Sequence, residues 1–561
     1  MPILPHIKWL VLLTLLVNAA AMLSPIINGG DSITYAALSQ HMASSNDWNS
    51  LILDGQDWLD KPHLPFWVTA VCFKLFGVST FTYILPGFLA HLVGGFFTYR
   101  IARFFYGRDT AWLSVLVYVS AYHLMDSSIE VKAETYLTAF IMGACYYWLR
   151  FDAQARLKYL LLGAAFSALA VMTKGVFTLI TISSGLVCMW IFQRHWQKLC
   201  SLKWWGALLL ALAFTAPELY ALYVQFDAHP EKLVFEHRQV SGIKFFLWDS
   251  QFGRFFNSGP IQNHNGHPFY FVLVWLWSFL PWVLVFFAAL VAGIRNFSTS
   301  SHSEKSSLVF LCGGFFITFA LFSATSFQLD HYTVILCPFA AILCGKFFHD
   351  WLQNGSSSRI LYGAQLLLAV LLAGLAVTLT VLIAKPILLT FSALACALIG
   401  IYVYRTYRDK KLVALAYPVL AINLLFAVLA LFTSLTFQTY DVPYHAAKLL
   451  SAQSALPKIY AHQMALQCRE LAVYLQRDCQ PVDDFQSLNE TDFVVLLREQ
   501  DSRALLLLYP HATRLATWDG VIHKTGTFNK LLAMARDTWP LERVVLLQVS
   551  RPLNTALKSS M

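Results

Sequence analysis

Apolar runs long enough to cross a membrane recur along the chain from residue 7 to residue 434. A helix needs about 20 apolar residues to cross the hydrocarbon core of a bilayer. The pattern predicts about thirteen spanning helices, near residues 7–27, 81–103, 110–127, 135–150, 157–173, 175–193, 204–224, 269–294, 306–326, 333–349, 360–384, 386–404 and 411–434. We therefore expect residues 1–435 to form a polytopic α-helical membrane domain.

Two apolar segments need a separate interpretation. Residues 7–27 follow His6 and Lys8, as the core of a signal peptide would, but no small-residue cleavage site follows them. They are predicted to be a retained first helix. The stretch 64–78 is short and contains Lys74, so it is predicted to be an interfacial helix that lies along the membrane surface.

The last part of the chain, residues 436–561, has the pattern of a small soluble domain. Strand-like apolar runs at 492–497 and 544–549 alternate with a helical pattern at 462–476. Strands that alternate with helical segments are typical of an α/β fold. We therefore predict a C-terminal α/β domain outside the membrane.

The ten cysteines show no CxxC or mixed His/Cys spacing that would indicate a metal site. Most of them lie in apolar runs, where packing is their expected role. Cys468 and Cys479 share a polar segment, and they would form a disulfide if that segment lies outside the cytoplasm. Two free thiols are the alternative.

The basic residues set the orientation of the predicted helices. The chain is 57% hydrophobic and 13% charged, with a net charge of +9. Its Lys and Arg residues form short clusters between apolar runs, a distribution typical of cytoplasmic loops and not of a nucleic-acid-binding surface. The clusters lie at 100–108, 150–158, 194–203, 295–305, 346–359 and 405–411. With these inside, the C-terminal domain and the loops 28–80, 128–134, 225–268 and 327–332 lie outside.

Four charged residues adjoin apolar helix ends on the predicted outer side: Asp31, Lys61, Glu134 and Lys174. Burial there raises the pKa of a carboxyl group unless a cation compensates, so such charges are expected to be paired or functional. If the four share one cavity, they suit a substrate that carries a phosphate and a hydroxyl to be deprotonated. The other loop carboxylates, Asp47, Asp54 and Glu130, are expected to be solvated.

The outer loop 225–268 is rich in cationic and imidazole side chains. They are His229, His237, Arg238, Lys244, Arg254, His264 and His267. For a single histidine a hydrated loop is the default interpretation, while the pair His264 and His267 is a better candidate for clamping a phosphate. Spacing alone does not establish zinc, so no metal ligands are assigned and a requirement for a divalent ion is left open.

Several short motifs occur in an order that resembles a known family. They are Gly30-Asp31 with Tyr35-Ala36, Lys61-Pro62-His63-Leu64-Pro65-Phe66-Trp67, Leu75-Phe76-Gly77, Thr173-Lys174-Gly175, Pro281-Trp282, Phe322-Ser323, and Leu329-Asp330-His331-Tyr332 with Pro338. This set is similar to the glycosyltransferases of the C superfold. More narrowly, it resembles the protein mannosyltransferase-like family and its bacterial branch, the lipid A aminoarabinose transferases, over residues 1–435.

The resemblance implies roles for individual residues. Asp31 corresponds to the family's first catalytic acidic residue and would accept the acceptor's proton, with inversion at the anomeric carbon. Glu134 stands where an aspartate is usual and would help to position the acceptor. The remaining candidates for substrate or phosphate binding are Lys61, Lys174, Tyr35, Asp60, Arg238, Arg254, His267 and Tyr332. Two positions depart from the family pattern, namely Ser32 after Asp31 and Ile84 in place of an arginine before Leu85-Pro86.

The function implied is transfer of a sugar from a polyprenyl-phosphate donor to an extracytoplasmic acceptor. The expected location is a bacterial inner membrane with the site facing the periplasm. The acceptor is lipid A, another glycolipid, a glycan or a protein, and the partners include membrane lipid but no nucleic acid. A lipid-linked-sugar flippase or transporter is the rival, although neither internal repeats nor charges near mid-membrane are evident. A membrane scaffold would leave the charged first loop without a role.

Overall fold

The protein is mostly helical in a computed structural model that describes residues 3–27, 29–263, 266–354, 359–383, 385–406, 408–453, 457–488, 490, 492–521, 533 and 541–550. The helices in the described part are α1 (Ile3–Ala21), α2 (Gly30–Ser45), α3 (Leu64–Phe76), α4 (Thr80–Tyr106), α5 (Arg108–Val119), α6 (Tyr122–Glu130), α7 (Ala133–Gln154), α8 (Leu157–Lys174), α9 (Thr178–Phe192), α10 (Leu202–Ala213), α11 (Ala216–Leu222), α12 (Gly242–Lys244), α13 (Ser250–Phe256), α14 (Tyr270–Ser278), α15 (Val283–Arg295), α16 (His302–Ala324), α17 (Cys337–Asn354), α18 (Arg359–Ile383), α19 (Pro386–Thr406), α20 (Lys410–Tyr440), α21 (Val442–Leu450), α22 (Ala465–Leu475) and α23 (Ser502–Leu508).

The strands are short and most of them lie in the C-terminal part. They are β1 (Ile52–Leu53), β2 (Gln56–Asp57), β3 (Lys458–His462), β4 (Cys479–Val482), β5 (Phe493–Arg498), β6 (Thr513–Gly520) and β7 (Glu542–Val549). Short 3₁₀ turns occur at Trp196–Lys198, Asp330–Leu336, Phe485–Ser487 and Glu499–Asp501, and π-helical turns at Tyr223–Asp227 and Phe245–Asp249.

The spanning helices match the sequence pattern, and the chain is a multi-pass membrane protein. In the described part, eight helical segments are long and apolar enough to cross a membrane, or up to ten if each of two bent pairs counts as one span. The bent pairs, α10 with α11 at 41° and α14 with α15 at 109°, occupy the predicted spans 204–224 and 269–294. Pro217 and Pro281 lie beside the two breaks, where a proline interrupts the helical hydrogen bonds.

Three further predicted spans are helical without meeting those limits of length and composition. They correspond to α5 with α6, to α7, and to α9. These helices pack tightly on their neighbours: α7 on α8, α9 on α16 and α5 on α17. Glu134 and other polar groups lower the hydropathy of α7, whereas α9 is apolar but has only 15 residues. For these three segments a full crossing stays a prediction.

Contacts between residues divide the chain into two compact units. The first comprises Met1–Met22, Leu59–Pro65 and Ile84–Leu429, and the second comprises Leu23–Trp58, Phe66–Tyr83 and Ala430–Met561. The C-terminal boundary lies near the predicted residue 435. However, most of the first loop, which we predicted to belong to the membrane domain, groups with the C-terminal part.

The grouping of the first loop with the C-terminal part has a clear basis inside the second unit. Helix α2 packs on α22, and Arg469 on α22 donates from Nε to Asp54 Oδ2 at 2.9 Å. Arg469 also donates to the hydroxyl of Thr34 at 3.3 Å. Asp54, expected to be a solvated loop charge, is therefore an ion-pair partner.

The C-terminal part contains the predicted α/β domain. Its five strands are ordered β4-β3-β5-β7-β6, with β3 parallel to β4 and β5, and β7 antiparallel to β5 and β6. Alternate residues of β5 and β7 face two apolar clusters, one that includes residues of α21 and α22 and one that includes residues of α23. Because the sheet is buried on both faces, the sequences of β5 and β7 are continuous apolar runs.

The disulfide between Cys468 and Cys479 is present, with 5.4 Å between the two Cα atoms. It joins α22 to β4, next to the edge of the sheet. Closing this loop restricts the unfolded chain, which stabilises the folded domain by an amount on the order of 2–4 kcal/mol.

The close approach of α5 and α17 yields a stability prediction. A Cβ added at Gly345 would lie 2.7 Å from the backbone nitrogen of Ser114, closer than real contacts allow, while a Cβ at Gly363 in α18 meets nothing within 4 Å. We expect Gly345→Ala to lower the free energy of unfolding by about 1–3 kcal/mol, because the backbone must shift. Gly363→Ala, the matched control, should leave it unchanged or raise it slightly. Thermal unfolding in detergent measures both, and equal melting temperatures would contradict the packing described.

Candidate active site

An ion pair between Glu134 and Lys174 lies in the wall of a cavity in the first unit. Glu134 lies in the first turn of α7, and Lys174 is the last residue of α8. The Glu134 carboxylate is almost fully buried and pairs with the Lys174 ammonium. Each charge suits its helix end, since a helix N-terminus favours an anion and a C-terminus a cation.

The 3₁₀ turn Asp330–Leu336 adds two aromatic side chains to this pair. The Lys174 ammonium lies 4.0 Å from the centroid of the Tyr332 ring, a cation–π contact. His331 Nε2 is 3.6 Å from Glu134 Oε1, and His331 Nδ1 is 3.3 Å from a carboxylate oxygen of Asp330. Lys174 is thus held by a carboxylate and by the face of an aromatic ring.

A second charged group comes from the loop before α3 and from α13. Lys61 Nζ lies 3.0 Å from Asp60 Oδ2. Arg254 binds the Asp60 carboxylate and also donates from Nη2 to the Asp60 carbonyl at 3.1 Å. Burial alone would raise the pKa of Asp60, but the charges of Lys61 and Arg254 outweigh burial and hold that pKa below its ordinary value. Asp60 therefore stays ionised and keeps both cations in place.

The two charged groups line adjoining cavities of the first unit. The larger has about 740 Å³ of empty space, part of it open to solvent, and is lined by Glu134, Lys174, Arg254 and Tyr332 together with apolar residues that include Phe177, Leu321 and Phe322. The smaller, of about 300 Å³, is lined by Asp60, Lys61 and Glu218 and again by Lys174 and Arg254. The cationic donors Lys174 and Arg254 therefore lie in the wall of a largely apolar cavity. Such a cavity suits an amphiphile with an anionic headgroup.

The structure brings together six of the ten site residues predicted from the sequence. Asp60, Lys61, Glu134, Lys174, Arg254 and Tyr332 line the two cavities. The other four are not among the residues that line these two cavities: Asp31, Tyr35, Arg238 and His267.

Arg238 and His267 have surroundings that differ from those of Arg254. Both are exposed in the loop between α11 and α14 and line neither cavity. The His267 backbone N–H donates to Gln328 Oε1 at 2.9 Å, and its Nδ1 accepts from the Phe269 N–H at 3.2 Å, which are local structural contacts. Their predicted phosphate-binding roles stay predictions, and His264 lies outside the described residues.

Asp31 and Tyr35 belong to the second unit, on helix α2. Asp31 is exposed in the first turn of this helix. Tyr35 is buried, and its ring packs edge-to-face on Phe66 with 5.1 Å between centroids. The predicted catalytic role of Asp31 and the substrate-binding role of Tyr35 stay predictions.

Sequence reasoning missed Glu218 and assigned no role to His331. Glu218 is a lone carboxylate in the apolar run that forms α10 and α11. An ionisable residue within a spanning segment is a candidate functional residue by default. The sequence alone could therefore have identified Glu218. His331 was recognised only as part of a motif, because the sequence does not show that it approaches Glu134.

Comparisons with known proteins agree with this architecture. Residues 60–220 match the family described as dolichyl-phosphate-mannose-protein mannosyltransferase, a range that includes Asp60, Lys61, Glu134, Lys174 and Glu218. The crystal structure of ArnT from Cupriavidus metallidurans bound to undecaprenyl phosphate superposes with a TM-score of 0.73 at 19% identity, covering 98% of both chains. The chain has the glycosyltransferase C superfold. The resemblance inferred from the motifs is thereby confirmed.

Curated relatives of this superfold are also similar in sequence. An undecaprenyl phosphate-alpha-4-amino-4-deoxy-L-arabinose arabinosyl transferase of Shewanella sediminis is 24% identical over 325 residues, which are 56% of this chain and 54% of the relative. The protein of the same name from Pseudomonas aeruginosa strain UCBPP-PA14 is 26% identical over 378 residues, 65% of this chain and 64% of the relative. The chain thus spans between about half and two thirds of the length of the curated relatives it matches.

The buried ion pair gives a prediction that does not depend on function. Lys174→Met removes the cation beside a buried carboxylate and should destabilise the protein by about 3–5 kcal/mol. Glu134→Gln combined with Lys174→Met removes both charges and should be clearly more stable than Lys174→Met alone. Thermal unfolding of the wild type, of Glu134→Gln alone, of Lys174→Met and of the double variant in detergent gives the coupling energy. Additive effects of the two substitutions would show that the pair is not coupled.

Proposed function

We propose that the protein is a polyprenyl-phosphate-dependent inverting glycosyltransferase, which transfers a sugar from the lipid-linked donor to an extracytoplasmic acceptor such as lipid A or another glycan. The observation that carries the proposal is the presence of Lys174 and Arg254 in the wall of a largely apolar cavity, with Lys61 in the wall of the smaller cavity that shares these two residues. Both named relatives are aminoarabinose transferases, and the ArnT crystal structure contains undecaprenyl phosphate.

The cations would act on the leaving group of the reaction. When the bond between the anomeric carbon and the phosphate oxygen breaks, negative charge grows on the lipid phosphate. Lys61, Lys174 and Arg254 stabilise that charge, and in a cavity with low dielectric constant the stabilisation exceeds what water provides. The side chains are already held by Asp60, Glu134 and Tyr332, so little reorganisation is needed during the reaction.

The carboxylates of Asp31 and Glu134 would have separate roles in the attack of the acceptor. Asp31 accepts the proton of the acceptor hydroxyl while its oxygen attacks the anomeric carbon on the face opposite the phosphate, which inverts the configuration. The pairing of Glu134 with Lys174 supports a positioning role for Glu134, because a carboxylate neutralised by an ammonium is a poor base. We place this chemistry on the periplasmic side of a bacterial inner membrane, opposite the six basic clusters that set the orientation.

The role of Asp31 can be tested in a reconstituted system. Asp31→Asn should abolish transfer of sugar from a radiolabelled undecaprenyl-phosphate sugar to lipid A, because the amide cannot take the proton, and the protein should stay folded. Asp47→Asn is the matched control, since Asp47 is another exposed carboxylate of the first loop that accepts a local bond from the Asn49 N–H. Full activity of Asp31→Asn would refute the assigned base. Movement of the donor across the bilayer by the wild type, without a new glycoside, would favour the transporter instead.

Binding of the lipid phosphate can be tested apart from catalysis. Lys61→Met should weaken the binding of undecaprenyl phosphate about tenfold or more, because a charge-assisted hydrogen bond contributes roughly 1.5–3 kcal/mol. Lys74→Met serves as the control, since Lys74 is an exposed lysine of α3 that packs over Trp48. Titration of the purified protein in nanodiscs measures both affinities. Equal affinities for wild type and Lys61→Met would remove Lys61 from the phosphate site.

A further inference from the structure

Glu218 and His63 form a fully buried contact inside the first unit. Both side chains have 0% of their surface exposed. The Glu218 carboxylate accepts the His63 backbone N–H at 3.0 Å and 3.2 Å through its two oxygens, and Glu218 Oε1 lies 3.0 Å from His63 Nδ1. One carboxylate therefore holds both the main chain and the side chain of a single residue.

A buried carboxylate in a spanning segment is costly, so its position calls for a reason. Glu218 lies on α11, in a bent pair of helices that is otherwise apolar enough to cross the membrane. Removing a carboxylate from water costs several kcal/mol, and even good partners only roughly offset this cost. Replacing both partners of such a buried contact by well-packed apolar residues is often neutral or stabilising. We therefore attribute the contact between Glu218 and His63 to positioning of the neighbouring chain segment and not to stabilisation of the fold.

The position of His63 in the chain indicates what is positioned. It follows Lys61 by two residues, with Pro62 between them, and proline fixes its own φ angle. Fixing the backbone of His63 therefore restricts where Lys61 can lie. Glu218 and Lys61 line the same small cavity, together with Arg254.

The other side of this segment is held by apolar packing. Leu59 packs in an apolar cluster with Val171, Leu222 and Phe226. The short stretch that carries Asp60 and Lys61 is thus fastened by apolar packing at one end and by Glu218 at the other. Without the second anchor, Lys61 would keep its ion pair with Asp60, but the backbone that carries both residues would lose one of its restraints, and the binding of an anion would have to restore the position of the Lys61 ammonium.

We infer that Glu218 is a positioning residue, which holds His63 and thereby fixes Lys61 at the phosphate end of the cavity. The inference rests on the proposed function, because it concerns the affinity for the donor's phosphate. Glu218 acts through Lys61 and touches neither the sugar nor the acceptor. Its loss should raise the KM for the donor more than it lowers kcat.

A double-mutant cycle on the full-length protein tests this dependence on Lys61. In nanodiscs, Glu218→Ala should weaken the binding of undecaprenyl phosphate about tenfold, but by less than twofold when Lys61→Met is already present. Glu218→Gln should lose less affinity, because its carbonyl oxygen still accepts the His63 N–H, and it provides the same cycle if Glu218→Ala does not fold. Asn18→Ala is the matched control, since Asn18 is a buried residue that donates to Ser128 at 3.0 Å within the same unit.

The outcomes separate this inference from the proposed function. If the wild type does not bind undecaprenyl phosphate, the proposed function fails. If the wild type binds and Glu218→Ala binds equally well, the positioning role of Glu218 is refuted while the function stands. Equal losses of affinity from Glu218→Ala with and without Lys61→Met would also refute it, because Glu218 would then act independently of Lys61. If Glu218→Ala and Asn18→Ala weaken the binding of undecaprenyl phosphate to the same extent, the contact between Glu218 and His63 is only structural, and the positioning role is refuted.

Discussion

The pairing of charges that are buried at the ends of spanning helices is the constraint on which the site depends. Glu134 has almost no exposed surface, and the Lys174 ammonium lies against its carboxylate, so that the two opposite charges compensate each other. The same ammonium contacts the Tyr332 ring. The pair therefore joins the start of α7 to the end of α8 and directs a cation toward the cavity. A hydrophobic replacement would pack as well but would leave no charge to bind an anion.

Carboxylates also hold donor groups in place in the segment before α3 and at α11. Asp60 orders Lys61 and Arg254 in the way that Glu134 orders Lys174, and Glu218 orders the backbone at His63. Each carboxylate thus fixes a positively charged or donor group before any substrate is present. Preorganised donors need little reorganisation when charge develops on a bound phosphate. The carboxylates are as necessary to the proposed chemistry as the cations that would touch the substrate.

The sequence predicted the elements of this fold better than their long-range contacts. Apolar length located the spans, and the strand-like runs at 492–497 and 544–549 became β5 and β7, because these signals are local. That the first loop groups with the C-terminal part depends on the contact of Asp54 with Arg469, more than 400 residues apart, which no local pattern reveals. Likewise Arg238 and Arg254 look alike in the sequence, and only the short helix α13 brings Arg254 to Asp60.

The composition of the cavity also limits what it can recognise. Its cations suit a phosphate, and its walls, with Phe177, Leu321 and Phe322, suit an isoprenoid chain. Both features are common to polyprenyl-phosphate sugars, whatever the sugar. A site selects one sugar when its polar groups lose their hydrogen-bond partners on binding a sugar with the wrong hydroxyl pattern. The cations here would not lose their partners in this way, because they are already paired with carboxylates. In the proposed reaction, selection of the sugar and of the acceptor would therefore depend on residues other than Lys61, Lys174 and Arg254.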